Sequence, residues 1–226
     1  MKYLFLIFLM VYSSTILHAQ IDIESVNSDT SYLEDQLYLE LTYNALVKTP
    51  KKMSQNGFSG GFSTGFIKDI PFNSKGTFGL AIGLGYQYNA FIQNLKISKE
   101  GKNNEFSLAE DYKSNWLRLH AIDIPFEIRW RNSTIDKYKF WRVYAGLKAS
   151  YIFLSKSKFS SLNETILIKD ISEIRKMQFG IMFSAGYSTW NLFVYYGLNP
   201  IFEDVELNEN KLDFKDIRVG LKFYIM

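Results

Sequence analysis

The sequence predicts an all-β fold, a transmembrane antiparallel up-and-down β-barrel of about eight strands. Three observations support this prediction. Large apolar residues alternate with small or polar residues at a period of two, the connections between these segments alternate in length, and aromatic residues gather at one level of the segments. A closed barrel can cross an outer membrane without helices because every backbone hydrogen bond is made between neighbouring strands.

The first three strands are predicted at Gln36–Val47, Phe58–Lys68 and Thr77–Asn89. Each has apolar side chains on one face and small or polar side chains on the other, which is the pattern of a half-buried strand. The apolar face of the third strand comprises Phe78, Leu80, Ile82, Leu84, Tyr86 and Tyr88. Its other face carries mainly glycine, alanine and amide residues, so the two faces meet different environments.

The fourth strand, Trp116–Arg131, changes the parity of its apolar residues. The apolar set passes from Leu117, Leu119 and Ala121 to Ile122, Ile124, Phe126, Ile128 and Trp130. A β-bulge produces such a one-residue change. We therefore predict a bulge near Ala121–Ile122, with the apolar face outward on both sides of it.

The last four strands are predicted at Lys139–Leu154, Arg175–Tyr187, Asn191–Asn199 and Asp216–Met226. Each alternates in the same way, with its apolar face outward. Most of the eight segments are close to the length of about 9–11 residues that a tilted strand needs to cross a bilayer.

The connections alternate between short and long. Short turns are predicted at Asp69–Gly76, Asn132–Tyr138 and Ser188–Trp190, whereas Ala90–Asn115 is the longest connection. Outer-membrane barrels have short periplasmic turns and longer external loops. The alternation therefore predicts that both ends of the mature chain lie in the periplasm.

Aromatic residues concentrate near the short turns. Trp130, Trp141, Trp190, Tyr187 and Phe223 fall at one level of the predicted strands. Trp and Tyr collect where lipid meets water, because part of the ring system is apolar and part is polar. We interpret the set as a periplasmic aromatic belt; the alternative is aromatic packing in the core of a soluble sandwich.

The small-residue faces also carry charges of both signs, which would lie inside the barrel. A polar network in the lumen is predicted from Glu40, Glu127, Arg129, Lys148, Arg218 and Lys222. Further inward candidates are Arg118, Asp123, Arg142 and Lys176. An eight-stranded barrel is filled by its own side chains, and buried charges must be paired. We expect a polar plug without an open pore; a narrow ion path is the alternative.

Composition excludes several classes of function. The net charge is only +3 and the charges are mixed in sign, unlike a nucleic-acid-binding domain. Cysteine is absent, which excludes disulfides and thiolate metal sites. His18 and His120 are the two histidines, and His18 lies in the predicted targeting segment, which excludes a multi-histidine zinc site. We expect no cofactor or metal, no nucleic-acid partner and no small-molecule substrate.

The N-terminus reads as a secretory signal peptide over residues 1–19. Lys2 precedes the apolar run Tyr3–Val11, and Ala19 offers a small residue for cleavage. The run is shorter than the roughly 20 residues of a spanning helix. Residues 20–35 carry five acidic residues and no Lys or Arg, and we interpret them as an acidic periplasmic leader before a barrel at 36–226.

Lipid-modifying catalysis is the first alternative to a structural role. A nucleophilic site would need a serine activated by a histidine that a carboxylate orients. His120 is the available base, Asp123 follows it, and Ser107 and Ser114 precede it. A lone strand histidine near an aspartate is usually structural, so we predict no enzymatic activity and no catalytic residues. A small porin or adhesin is the second alternative.

Several stretches resemble the PorT family of outer-membrane barrels, which belongs to the type IX secretion and gliding apparatus. The stretches that carry the resemblance are Phe66–Pro71, Ile122–Thr134, Tyr138–Leu147, Gly186–Asn191, Tyr195–Pro200 and Arg218–Ile225. The resemblance implies a non-enzymatic barrel needed for protein export across the outer membrane of a Gram-negative bacterium, and for gliding where it occurs. It implies outer-membrane lipid and other secretion-apparatus proteins as partners, and it brings no catalytic or cofactor residues.

Overall fold

Eight long antiparallel strands form a closed barrel in the computed structural model, which describes residues 36–73, 76–101, 103–132, 140–207 and 210–225. Within these ranges, no helix is long and apolar enough to cross a membrane. The fold class predicted from the alternation is confirmed.

The strands are numbered in chain order. The barrel strands are β1 (Gln36–Val47), β2 (Gly60–Pro71), β3 (Phe78–Ile92), β6 (Ser114–Arg131), β7 (Trp141–Ser160), β9 (Met177–Tyr187), β10 (Trp190–Gly197) and β13 (Lys215–Ile225). The short strands outside the ring are β4 (Leu95–Glu100), β5 (Asn103–Leu108), β8 (Thr165–Lys169), β11 (Glu206–Leu207) and β12 (Asn210–Lys211).

The ring order is β6, β3, β2, β1, β13, β10, β9, β7, and pairing of β6 with β7 closes it. Closure leaves none of the eight strands with a free edge. Beyond the ring, β8 pairs with the last residues of β7, from Lys156↔Lys169 to Ser160↔Thr165.

The two ends of the barrel differ in their connections. One end, here the terminus end, carries the short turns and the first and last barrel residues. The opposite end, the loop end, carries the connections 48–59, 93–113, 161–176 and 198–214. The predicted signal peptide (1–19) and acidic leader (20–35) lie outside the described residues, as do most of the turn after β6 and Met226.

The barrel is polar inside and apolar outside. Along β1, Tyr38 and Glu40 are buried in the lumen, whereas Leu37 and Leu41 are exposed on the wall. A soluble barrel such as a lipocalin keeps its apolar face inside. The observed arrangement suits a barrel surrounded by lipid.

Seven of the eight predicted strands differ from the observed bounds at one or both ends, and three of the differences move a residue discussed below. β1 has the predicted bounds, but β7 extends to Ser160, well beyond the predicted end at Leu154. Phe58 lies outside β2, where its ring contacts that of Tyr43 at 5.7 Å between centroids. Asp69, predicted to begin a turn, is instead an inward residue of β2, because the strand alternation continues to Pro71.

The register shift lies at the predicted height, but the change of parity is on the other strand. Pairing moves from His120↔Leu154 to Ala121↔Ile152, which leaves Phe153 as the extra residue of β7. Inward positions of β6 run without interruption, so the predicted outward orientation of Leu117, Leu119 and Ala121 is wrong. These three apolar side chains face inward because the loop end of the lumen is hydrophobic.

An apolar cluster closes the loop end of the lumen. It combines inward strand residues with residues from the loops and their short strands. Its members are Met53, Phe91, Leu95, Ile97, Leu117, Leu119, Ala121, Ile152, Ile168, Ile171, Ile174, Ile201, Phe202, Val205, Leu207, Leu212 and Phe214. The long connection predicted at Ala90–Asn115 therefore contains the hairpin β4–β5, whose apolar residues cover the barrel mouth.

Candidate functional site

Two ion pairs cross the middle of the lumen. Lys222 Nζ on β13 lies 2.7 Å from Glu127 Oε1 on β6. Lys148 Nζ on β7 lies 2.7 Å from Glu40 Oε2 on β1. Each pair joins strands four places apart in the ring of eight, so each joins opposite walls. Lys222 Nζ also lies 2.9 Å from Glu40 Oε1, which links both pairs into one cluster.

Three further charges continue this cluster toward the terminus end. Arg129 donates a 2.9 Å hydrogen bond from Nε to Glu127 Oε2 and a 3.0 Å bond from Nη1 to Asp69 Oδ1. Arg131 donates a 2.5 Å bond from Nη2 to Asp69 Oδ2. Asp69 therefore bridges two guanidinium groups that are almost completely buried.

A second group of charges lies toward the loop end. Asp123 Oδ2 is 3.4 Å from Lys148 Nζ, which joins it to the central cluster. Arg218 donates a 2.5 Å bond from Nε to Asp216 Oδ2 and also donates to Gln87 Oε1. Five of the six predicted network residues therefore belong to the central cluster. The sixth, Arg218, lies outside it and pairs with a residue of its own strand.

The central cluster is balanced in charge. Its carboxylates are Glu40, Asp69, Asp123 and Glu127, and its cations are Arg129, Arg131, Lys148 and Lys222. An isolated buried charge is very costly, whereas a paired and hydrogen-bonded one is tolerated. This alternation of sign explains how the barrel holds so many ionised groups in a narrow lumen.

Tyrosine rings fill the space around the charges. The Arg129 guanidinium lies 4.8 Å from the ring centroid of Tyr144 and 5.4 Å from that of Tyr224. Lys222 Nζ lies 4.7 Å from the ring centroid of Tyr38. The Tyr38 hydroxyl occupies the space that a Cβ atom would take at Gly85. Small inward residues thus make room for large inward neighbours.

A small cavity lies in the lumen beside Arg218, in the second group of charges. The cavity bordered by Gln87, Asn89, Leu119 and Arg218 measures about 10 Å³, room for about one water molecule. The geometry can neutralise buried charge and hold opposite walls together. A cavity that holds about one water molecule has no space for a hydrated ion.

Two residues of the network are not among the predicted inward residues. Asp69 is predicted to lie in a turn and Arg131 is not predicted to face inward, although both continue the inward alternation of their strands. Arg118 and Lys176 were predicted to face inward, but both are exposed on the surface. Arg118 lies in β6 beyond the assumed parity change, and Lys176 precedes β9, so neither follows the predicted alternation.

The predicted aromatic belt lies on the outer wall at the terminus end. Its members are Trp130, Trp141, Trp190, Tyr187 and Phe223. The rings of Trp141 and Tyr187 lie 5.4 Å apart, and those of Trp190 and Phe223 lie 5.1 Å apart. Trp190 is 64% exposed, so the belt covers the wall and does not form a core.

A family model described as "Outer membrane protein beta-barrel domain" matches residues 19–203. The chain belongs to this outer-membrane β-barrel family. The family accounts for the exposed apolar wall, because that wall faces lipid. It is broader than the PorT resemblance, which stays a prediction. No curated protein matches the chain.

Two solved structures are similar to this outer-membrane barrel in outline. The crystal structure of Ail, the attachment invasion locus protein of Yersinia pestis, is 11% identical, with 84% of this chain and 97% of that chain covered and a TM-score of 0.32. Ail in complex with the heparin analogue sucrose octasulfate is 11% identical, with 85% and 99% covered and a TM-score of 0.34. Similarity at these TM-scores does not indicate a shared function.

His120 of the outer-membrane barrel faces away from the lumen. Its Nδ1 lies 2.6 Å from the Tyr86 hydroxyl, and its ring is 5.1 Å from that of Tyr88. Asp123 is fully buried on the opposite face of the same strand. The geometry therefore separates the base from the carboxylate of the catalytic arrangement considered above.

Proposed function

We propose that this protein is a non-conducting outer-membrane anchor whose folded loop end holds partner proteins. The observation that carries the proposal is the pair of ion bridges across the lumen, Glu127–Lys222 and Glu40–Lys148. The ion pairs across the lumen block passage through the barrel. Partner proteins would therefore bind at its two exposed ends. Porins leave an aqueous channel only with about 16 or more strands.

The loop end is suited to contact because its segments are tied to one another. Lys96 on β4 forms a 2.5 Å ion pair with Glu164 in the β7–β8 connection. The rings of Phe106 on β5 and Phe202 in the β10–β11 connection are 5.5 Å apart, edge to face. These contacts hold hairpins from different loops in one folded layer over the apolar cluster.

We propose that the terminus end faces the periplasm and the loop end faces the exterior. The short turns and the belt at the terminus end support this orientation. The natural chain has no cysteine, so single cysteines report orientation cleanly. Leu162→Cys at the exposed β7–β8 hairpin tip should react with a membrane-impermeant maleimide in intact cells. Asn73→Cys in a short turn should react only after lysis; the reverse pattern would contradict the proposal.

The role in type IX secretion and gliding is proposed from the PorT resemblance. A deletion strain should lose secreted proteins and surface motility, and the wild-type gene should restore both. A gene in which the β4–β5 hairpin is replaced by a short Gly/Ser linker should restore the barrel but not secretion. Normal secretion and motility in the deletion strain would remove the secretion role.

The alternatives make different predictions in the same strains. A lipid-modifying enzyme would show changed lipid A acyl chains in a His120→Ala strain, and we expect none because His120 lies on the outer wall. An adhesin would share the folded loop layer as its working surface. Loss of attachment to surfaces with unchanged secretion in the deletion strain would favour that function.

A further inference from the structure

Three cations lie side by side on the outer wall near the loop end. Arg118 on β6 is the register partner of Lys156 on β7, which is the partner of Lys169 on β8. Residues paired across a sheet share a face, and the neighbouring positions Leu117 and Ile168 are buried inward. All three cations therefore point outward; we call them the basic row.

The basic row has no carboxylate that neutralises it. Two other cations at this end do have a carboxylate partner, in the pairs Lys96–Glu164 at 2.5 Å and Arg175–Glu203 at 3.4 Å. Among the described residues, no carboxylate forms an ion pair with any member of the basic row. Like charges directly opposite on a sheet destabilise it. The row therefore resembles half of an ionic contact whose other half is supplied from outside the chain.

The depth of the row indicates what supplies the negative charge. The next register row toward the membrane is aromatic, with Tyr88 paired to His120. Aromatic girdles mark the boundary between hydrocarbon and headgroups. The basic row lies one step beyond this girdle, at the depth of lipid headgroups. Arg118 is held there by Trp116, whose ring centroid is 3.9 Å from the guanidinium.

A cleft opens in the wall where β7 changes its partner from β9 to β8. It has a volume of about 520 Å³ and is bordered by Phe153, Leu154, Ile171 and Lys176. Asp170 also lines it, so the cleft itself is less basic than the row. Phe153 borders the cleft and is 48% exposed on the wall, so an acyl chain or the sugar attached to it could lie against this side chain beside a headgroup held by the row.

We propose that the basic row binds the phosphate groups of a phosphorylated glycolipid in the outer leaflet. The guanidinium of Arg118 supplies a fork that matches phosphate oxygens, and the two lysines supply point charges. Lys158, next to Trp116 in the following register row, adds a fourth cation. This inference depends on the outer-membrane location and on the proposed orientation, with the loop end facing the exterior, and not on the secretion role.

The test uses the full mature chain refolded in detergent micelles. Native mass spectrometry measures the lipid that stays bound to it. The probes are diphosphorylated lipid A, the same lipid without phosphate, and inorganic phosphate. The variant R118Q/K156Q/K169Q is compared with K51Q/K52Q/K99Q, which removes three exposed loop lysines outside the row. One cation at an anionic surface changes binding about fivefold, so the row variant should bind diphosphorylated lipid A roughly 100-fold more weakly. The control variant should bind it like the wild type.

Three results would overturn the proposal. The first is unchanged binding in the row variant, and the second is equal binding of the lipid without phosphate. The third is displacement of lipid A by an equal concentration of inorganic phosphate, which would indicate a site for free anions. If the triple variant does not refold, Lys169→Gln replaces it, because β8 lies outside the closed ring. That single change should weaken binding about fivefold, and unchanged binding would contradict the proposal.

Discussion

Lys222 and Glu127 join opposite walls of the barrel through one 2.7 Å ion pair. Their strands, β13 and β6, are as far apart as the ring order allows. The same relationship holds for Lys148 and Glu40, so the lumen is crossed twice. Pairs across a diameter differ from pairs between neighbouring strands, because they hold the width of the barrel as well as neutralising charge.

Removing one partner of the Glu127–Lys222 bridge should destabilise the barrel strongly. Glu127→Gln leaves Lys222 and Arg129 buried with one carboxylate fewer, and such a loss costs about 3–5 kcal/mol. The measurement is urea unfolding of the protein in lipid vesicles, followed by tryptophan fluorescence. Glu127→Gln with Lys222→Met should recover part of the loss, because the excess cation is removed as well.

The matched control for this bridge is Glu105→Gln, which removes an exposed carboxylate from the β5 hairpin. Its effect should stay within about 0.5 kcal/mol. Equal unfolding midpoints for Glu127→Gln and Glu105→Gln would show that the lumen cluster does not hold the barrel together.

Gly85→Ala should destabilise the barrel through the contact of its new Cβ with the Tyr38 hydroxyl. Overpacking of this kind costs about 1–3 kcal/mol. Tyr38→Phe in the same protein should recover part of that free energy of unfolding, which a double-mutant cycle in urea would measure. Gly60→Ala is the control, since its nearest neighbour is the exposed and movable ring of Phe58. Equal costs at both glycines, without any recovery, would refute the contact.

The barrel wall could be predicted from the sequence because the membrane enforces a period of two. β1 has the predicted bounds, and the belt residues Trp130 and Trp190 lie where the pattern places them. Successive residues of a spanning strand point alternately to lipid and to the narrow lumen, so each position requires either an apolar or a lumen-compatible side chain. Local alternation therefore contains nearly all the information about the wall.

The loop end could not be predicted in the same way, since its packing is not local. Leu117 and Leu119 are predicted to face lipid, but they face a core that combines strand residues with residues of four different loops. Alternation does not distinguish a lipid-facing apolar residue from one that faces such a core. Asp69 is missed for a different reason, because the predicted turn Asp69–Gly76 begins before the strand ends, at Pro71.

A charge placed on the outer wall should have a cost that depends on its depth. Ile124 lies near mid-height on β6 and is 48% exposed, whereas Leu162 at the hairpin tip is 83% exposed. Ile124→Lys should cost about 2–4 kcal/mol, because lysine at the bilayer midplane loses its hydration. Leu162→Lys should cost almost nothing. Urea unfolding from vesicles measures both, and equal costs would indicate that Ile124 does not face lipid.

The last prediction concerns conduction, which the two cross-lumen bridges should prevent. Wild-type protein in a planar bilayer should give no steady conductance, because two ion pairs cross the lumen and the cavity beside Arg218 holds about one water molecule. Replacing Glu40, Glu127, Lys148 and Lys222 together by alanine removes both bridges while keeping the lumen neutral. Variants that refold, judged by heat-modifiable migration on gels, should show small openings, since space for water replaces the side chains.

The apolar cluster at the loop end would still narrow the exit, so the conductance of these openings should stay far below that of a 16-stranded porin measured beside them. Stable porin-sized openings in the wild type would contradict a lumen closed by ion pairs. A refolded variant that shows no conductance would indicate that the loop-end apolar cluster, and not the charged residues, blocks the lumen.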